Sequence, residues 1–157
     1  MDAASLAPVQ PTANKERLRL WIRLLRAQRT IEAELRDRLK RRFETTLPRF
    51  DVMSALYRRP EGMLMSDLSR FLLVSNGNVT GIVDRLAADG FVMRAAREGD
   101  RRASIVSLTP QGRDLFATMA AEHEEWVAEL LSGVSESEAR SLSNTLRSFR
   151  SNWEGEA

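Results

Sequence analysis

SDLSRFLLVSNGNVTGIVDRLAADGFVMRAAREGDRRASIVSLTPQG, residues 66–112, decides the fold of this chain. Leu68, Phe71 and Leu72 fall at i, i+3 and i+4, one apolar helical face. Ser66 precedes them, and its hydroxyl can cap that helix by accepting an otherwise unpaired backbone N–H. Val79, Ile82, Val83 and Leu86 repeat the pattern at i, i+3, i+4 and i+7, with Ser75 as the second expected cap. Gly90 stands where a left-handed residue ends a helix. The gap between the two helical patterns is about three residues, the length of a helix-turn-helix turn.

The second half of the stretch reads as a hairpin. Phe91-Val92-Met93 is an apolar run of strand type, and Ile105 and Ser107 alternate with Val106 and Leu108 in the return run. Glu98-Gly99-Asp100 makes the turn, ringed by Arg94, Arg97, Arg101 and Arg102. Thr109 then caps a new helix with Pro110 at its first position. Two helices and a basic hairpin in this order predict a winged helix-turn-helix: a mainly α fold with a small antiparallel β wing.

Such an order points to duplex DNA. A recognition helix sets its N-terminal residues against base edges in the major groove. Here Ser75, Asn76, Asn78 and Thr80 stand at that end, with Gly77 and Gly81 among them. Asn can pair with adenine through two hydrogen bonds, and Thr can touch a thymine methyl or a phosphate. The glycines cost roughly 1 kcal/mol each in a helix, which a close approach of backbone to DNA would offset. Arg97, Arg101 and Arg102 at the hairpin tip suit phosphates and a narrow minor groove. An ordinary capped surface helix and a solvated charged hairpin are the plain alternative. Four arginines against two acids in so short a tip, beside a helix-turn-helix, favour DNA.

The same residues resemble the multiple antibiotic resistance regulator (MarR) family of winged-helix transcription factors. The resemblance is carried by Val83-Asp84-Arg85-Leu86, Asp89-Gly90-Phe91-Val92, Asp100-Arg101-Arg102 and Ser107-Leu108-Thr109-Pro110-Gln111-Gly112, and extends over most of residues 15–153. It implies that Arg102 is the wing arginine that enters the minor groove and that Asp100 orients it. It also implies that Arg85 lies near the DNA backbone and the wing. Family members often carry arginine where this chain has Asn76 and Gly81, so their operator preference does not transfer.

Composition agrees with a small regulator. The chain has 157 residues, a net charge of +2, no cysteine and one histidine. Its charge is unevenly placed: residues 15–102 hold 20 Lys and Arg against 12 Asp and Glu, and residues 103–157 hold 4 against 9. The basic part contains the expected DNA reader. Only Lys15 and Lys40 are lysine; an arginine bias suits bidentate phosphate contacts, and it also tracks genomic composition. The lack of cysteine excludes disulfides and thiol redox sensing, and with a single His123 no metal site or cofactor is expected. Neither a signal peptide nor a bilayer-spanning run is found, so a cytoplasmic location without membrane contact is expected.

The two ends read as dimerisation helices. Residues 1–14, with Pro8 and Pro11, are expected to form a mobile tail. Residues 15–153 are expected to form one domain, in which helices at 15–45 and 110–153 flank a DNA-binding lobe at 48–109. Trp21, Leu24, Leu25, Gln28, Ile31, Leu35, Leu39 and Phe43 make a helical stripe. Leu115, Phe116, Met119, His123, Trp126, Val127, Leu130 and Leu131 make another, ended by Gly133. Ser135 and Glu138 form a capping box, and Leu142, Leu146, Phe149 and Trp153 follow at coiled-coil-like spacing. Stripes of this length exceed what a small lobe can bury, so a symmetric homodimer is expected to cover them, with packing within one chain as the alternative. Pro48 begins a further helix with Phe50, Met53, Leu56 and Tyr57 inward, and Met63-Leu64-Met65 is placed as a short third strand.

In the resembled family small acidic or aromatic ligands bind between the dimer arms and the reading lobe. Trp21, Phe50, Met53, Tyr57, Phe116, Met119 and His123 are the candidates for that effector region, with core packing as their alternative role. Residues 47–53 and 74–81 resemble a branch of the family that controls aromatic-acid catabolism, which implies an aromatic carboxylate or its coenzyme A thioester as effector. An enzyme would need a nucleophile–base or metal constellation, which this composition does not offer. The rival reading is a winged-helix protein–protein adaptor without operator binding; the Asp100–Arg102 wing favours a double-stranded DNA operator.

Overall fold

A computed structural model describes residues 12–72 and 76–154. The expected tail lies almost wholly outside the described residues, and Ala13 and Asn14, assigned to it, are already helical. Helix α1 (Ala13–Phe43) runs for 31 residues with no proline or glycine to break it. It stops at Glu44, whose left-handed φ of 51° turns the chain while the N–H groups of Glu44 and Thr45 reach the carbonyls of Lys40 and Leu39. Helix α2 (Leu47–Tyr57) follows at once. Thr46 caps it by accepting the Arg49 N–H at 3.3 Å, and Pro48 sits in the first turn, where its missing N–H costs nothing.

A tight turn leads from α2 to the sheet. The Gly62 N–H donates to the Arg59 carbonyl at 2.8 Å, and Gly62 has φ 87°. A Cβ there would lie 2.8 Å from the Val106 carbonyl oxygen and 2.7 Å from Ile105. Glycine is thus required twice, for conformation and for closeness. It admits β1 (Met63–Leu64) to the sheet beside β3 (Asp100–Leu108), with Met63 opposite Val106 and Leu64 opposite Ile105. Strand β2 (Val92–Arg97) pairs on the other side of β3, so the antiparallel order is β1-β3-β2. The short third strand is present, but Met65 already belongs to the next helix.

That helix, α3 (Met65–Phe71), does not start where its polar residues suggest. Leu64 is its N-cap, without a side-chain hydrogen bond, and Ser66 lies exposed in the first turn. The cause is the sheet: pairing of Leu64 with Ile105 fixes where the extended chain ends and the helix must begin. The apolar face also needs correction. Leu68 is fully buried and Leu72 partly so, whereas Phe71 is 58% exposed. In so short a helix only the side turned to its neighbours is covered, and Phe71 falls on the flank. Ser75, the second expected cap, lies outside the described residues.

Helix α4 (Asn76–Ala88) follows its periodicity. Val79, Val83 and Leu86 are fully buried and Ile82 packs beside them. Gly90 (φ 82°) then reverses the chain, and the Phe91 N–H returns to the Leu86 carbonyl at 2.9 Å. These α4 residues join Leu39 of α1, Phe50, Val52, Met53 and Leu56 of α2, Leu68, Val92, Val106 and Leu108, with Phe116 and Met119 from beyond the sheet, in one core. Burial of each large apolar side chain contributes about 1.5–3 kcal/mol.

Helix α5 (Pro110–Leu130) is stitched to the end of α4 by one threonine. The Thr109 hydroxyl accepts the Gly112 N–H at 3.0 Å and donates to the Gly90 carbonyl at 2.6 Å, while its own N–H meets the Phe91 carbonyl at 3.0 Å. This closeness explains Gly112, where a Cβ would stand 2.0 Å from the Phe91 oxygen. α5 then packs along α1. Phe43 and Trp126 stand 6.3 Å apart, and Arg38–Glu129 and Arg42–Glu122 pair at 2.7 and 3.0 Å on the rim.

Helix α6 (Glu136–Glu154) begins with the expected capping box. The Glu138 N–H donates to the Ser135 hydroxyl at 3.3 Å, and the Ser135 hydroxyl and N–H donate to the Glu138 carboxylate at 2.7 and 2.8 Å, which holds that carboxyl below its ordinary range. Leu142, Leu146 and Phe149 remain exposed along it, as do Leu18, Leu20 and Trp21 on the first half of α1. The first apolar stripe is therefore buried only from Leu35 onward within the chain. The side chain of Trp153 lies outside the described residues.

Candidate nucleic-acid interface

The wing and α4 are locked together before either meets a ligand. Arg94 of β2 pairs with Asp84 of α4 at 2.8 Å, so this arginine belongs to the junction rather than to the basic tip. Arg49 of α2 pairs with Asp89 at the end of α4; it is mostly covered, and its Nε is buried without a partner. These pairs hold α4 to both neighbours, fixing the helix that would enter a groove.

Viewed around its axis, α4 presents three sides besides the core. Asn78, Ile82 and Arg85 line a cleft with Arg36 and Lys40 of α1 and the start of α2 at Leu47–Arg49. Thr80 faces the other way, into a narrow cleft that it shares with Ser66, Ser69, Arg102 and Ser104. Gly81 sits between these flanks, and a Cβ added there would meet nothing within 4 Å. Asn76 is the first residue of α4, and its side chain lies outside the described residues.

The hairpin tip owes its shape to two local devices. Gly99 (φ 82°) takes the second position of the Glu98-Gly99 turn. The register then shifts: Arg97 lies opposite Asp100, yet Ala96 lies opposite Ser104, which leaves residues 101–103 as extra length on β3. Such a bulge bends the strand and re-aims side chains. Within it the Asp100 carboxylate accepts the Arg102 N–H at 3.0 Å. The Arg102 side chain is exposed and borders the Thr80 cleft. The side chain of Arg101 lies outside the described residues.

Of the sequence-derived DNA candidates, Thr80 and Arg102 thus share one groove, and Asn78 and Arg85 share the cleft on the opposite flank. Arg97 is separate, in a cleft on the outer side of the wing with Arg59, Arg70 and Phe71. Arg36, Lys40 and Arg49 were not singled out from the sequence. The i, i+4 spacing of Arg36 and Lys40, one helix face aimed at the α2 start, was the available signal.

The seven effector candidates divide. Phe50 stacks on His123 at 4.6 Å and meets Phe116 at 5.2 Å, and Phe116 meets Tyr57 at 5.0 Å. Arg113 lies over the Tyr57 ring at 4.9 Å. Met53 and Met119 are buried in the adjoining core. Burial pulls the His123 pKa below its ordinary value. Trp21 stands apart on the exposed half of α1. A largely apolar cleft of about 850 Å³ opens elsewhere in the arms, between Leu24, Ile31 and Leu35 of α1, Leu47 and Asp51 of α2, and Leu142 and Leu146 of α6. Asp51 has its pKa raised there by burial and by Glu32. Among the described residues no helix is long and apolar enough to cross a membrane, and no acidic or histidine cluster could hold a metal ion.

Comparison with known proteins places this geometry. The MarR family pattern matches residues 45–104, the span from the α2 cap through the wing bulge. The HTH-type transcriptional regulator PecS of Dickeya dadantii (strain 3937) is 32% identical over 108 residues, 68% of this chain and 65% of the PecS chain. A MarR family transcriptional regulator from Silicibacter pomeroyi, of known crystal structure, is 32% identical with a TM-score of 0.77; the match covers 92% of this chain and 99% of that one. Sco3205 of Streptomyces coelicolor, a family member crystallised in complex with DNA, is 20% identical and shares the fold, with a TM-score of 0.78 over 93% of this chain and 91% of its own.

Proposed function

The chain belongs to the MarR family of transcription regulators, and from that premise we propose that it is a homodimeric repressor of a palindromic operator. One observation carries the DNA-reading assignment. A recognition helix with a bare crest at Gly81 is flanked by Asn78 and Arg85 on one side and by Thr80 and the wing's Arg102 on the other. Small polar side chains at base edges and a guanidinium beside them are what groove recognition needs. The dimer is supported by the uncovered apolar rows on α1 and α6. A two-fold pair of reading heads about 34–36 Å apart would enter successive major grooves.

The effector in this proposal is a small aromatic acid or its coenzyme A thioester. The arm cleft offers an apolar seat for an aryl group. The neighbouring cleft gathers Arg36, Lys40, Arg49 and Arg85; Arg36 pairs with Glu32 and Arg49 with Asp89, which leaves Lys40 and Arg85 as the cations that suit a phosphate. Release follows if the ligand prefers a spacing of the heads that no longer matches DNA.

The test is a mobility shift on the chain's own promoter fragment at two salt concentrations, beside sedimentation of the free protein. A salt-sensitive, sequence-dependent complex of a dimer supports the proposal. Absence of any DNA complex from a folded dimer would return the wing to the role of a protein-binding adaptor. Operator affinity unchanged by saturating aromatic acid and by its saturating thioester would remove the effector assignment.

A further inference from the structure

The recognition helix is anchored in one half and reads with the other. Asn78, Thr80 and the bare crest at Gly81 lie in its first half, where residues 76–83 carry no charge. Its ion pairs lie beyond them. Asp84 meets Arg94 of β2 at 2.8 Å, and Asp89, just past the helix, meets Arg49 of α2. Thr80 stands about 13 Å before Asp89 along the axis, at ~1.5 Å per residue. Val79, Val83 and Leu86 hold α4 against the core, but apolar attraction has no direction. A guanidinium–carboxylate pair has one, so the pairs set the tilt. A tilt of about 5° at Asp89 would displace Thr80 by about 1 Å, more than a binding geometry tolerates.

The Arg49–Asp89 pair is placed against both helix dipoles. Arg49 stands in the first turn of α2, where the partial charge is positive. Asp89 follows the last turn of α4, where it is negative. Each charge is unfavourable for its own helix, and the link between the two helices offsets both costs. Arg49 is also enclosed. Its side chain is mostly covered, its Nε is buried, and it lines a narrow cleft with Asp89, Phe43, Met53 and Phe91. Its N–H donates to the Thr46 hydroxyl at 3.3 Å, so the cap of α2 fixes the backbone from which the side chain starts. Such a guanidinium is built to hold Asp89 and not to reach a phosphate at the far end of α4.

We propose that Arg49 is a positioning residue for operator recognition, which acts on DNA only through Asp89, by fixing the tilt of α4. It makes no DNA contact of its own. This role rests on the operator reading above.

The experiment is operator titration of the full chain at two salt concentrations. The proteins are wild type, Arg49→Ala, Asp89→Ala, the double alanine variant, and the exchanged pair Arg49→Asp with Asp89→Arg. Circular dichroism and thermal unfolding follow each one. The exchanged pair puts both charges where the helix dipoles favour them, so it is expected to fold even where a single variant does not. The expected result is a loss of about tenfold or more in each single variant, no greater loss in the double variant, an unchanged salt slope, and recovery in the exchanged pair. Wild-type affinity in the single variants, whatever their melting temperatures, would assign the pair to stability alone and overturn the role. So would a folded exchanged pair that binds no better than the single variants. Additive losses in the double variant, or a salt slope lower by about one unit in Arg49→Ala, would mark a direct phosphate contact and overturn it too. Operator binding by wild type, read in the same titration, tests the DNA reading alone and so separates its failure from this one.

Discussion

The carboxylate of Asp100 accepts the backbone N–H of Arg102 at 3.0 Å, two residues on and inside the wing bulge. The acid therefore shapes the strand from which the arginine projects and leaves the guanidinium free of it. Arg102→Ala should weaken operator binding and lower its salt slope by about one unit if the contact is to phosphate. Asp100→Ala should show a milder loss, and Asp100→Asn should restore binding, because an amide oxygen accepts the same N–H. Equal defects in the Ala and Asn variants would mean that the negative charge matters and not the turn.

Gly81 has helical conformation and open space where a Cβ would be. Alanine there should raise stability by about 0.4–1 kcal/mol, through the smaller entropy of the unfolded chain. The same change should reduce operator affinity if backbone approaches the base edges at this point. Urea denaturation and operator titration of one variant give both numbers. A stabilised protein with undiminished affinity would show that the crest stays clear of DNA.

Gly112 is a different case. Its missing side chain makes room for the Phe91 carbonyl, and a Cβ would stand 2.0 Å from that oxygen. Gly112→Ala should cost at least about 3 kcal/mol, the upper end of ordinary overpacking, because the obstacle is backbone. Thermal unfolding should show a large drop, with the Thr109 link between α4 and α5 strained or lost. A shift no larger than that of Gly81→Ala would contradict the packing described.

His123 makes stability depend on pH. Burial against Phe50 lowers its pKa from the ordinary 6.5, so the unfolded chain takes up a proton before the folded one does. Stability is therefore complete above pH 6.5 and falls as pH drops through the lowered value. His123→Phe keeps a ring on Phe50 and removes the proton. Denaturation curves between pH 7 and 5 should be flatter for the variant. Parallel losses in the two proteins would assign the acid sensitivity to other groups.

Several parts of this molecule are legible in short stretches of sequence because their causes are local. Gly90 and Gly99 take left-handed conformations that glycine adopts without cost. Thr46, Thr109 and Ser135 accept hydrogen bonds from N–H groups three residues ahead. Val79, Val83 and Leu86 share a face through helical geometry alone, and a helix with one apolar face has one way to turn inward.

Tertiary structure decided the rest, wherever the partner lies far along the chain. The start of α3 depends on Ile105, forty-one residues after Leu64, so the nearby Ser66 could not reveal it. Phe71 fits the helical period of the core, yet exposure depends on which neighbours cover a two-turn helix. Arg94 looks like a wing cation until Asp84 takes it. Phe50, Phe116, Tyr57 and His123 meet one another across two helices, and clefts open where separate elements come together with mismatched side chains. Periodicity and caps depend on a few successive residues; the shape left between packed elements depends on all of them at once.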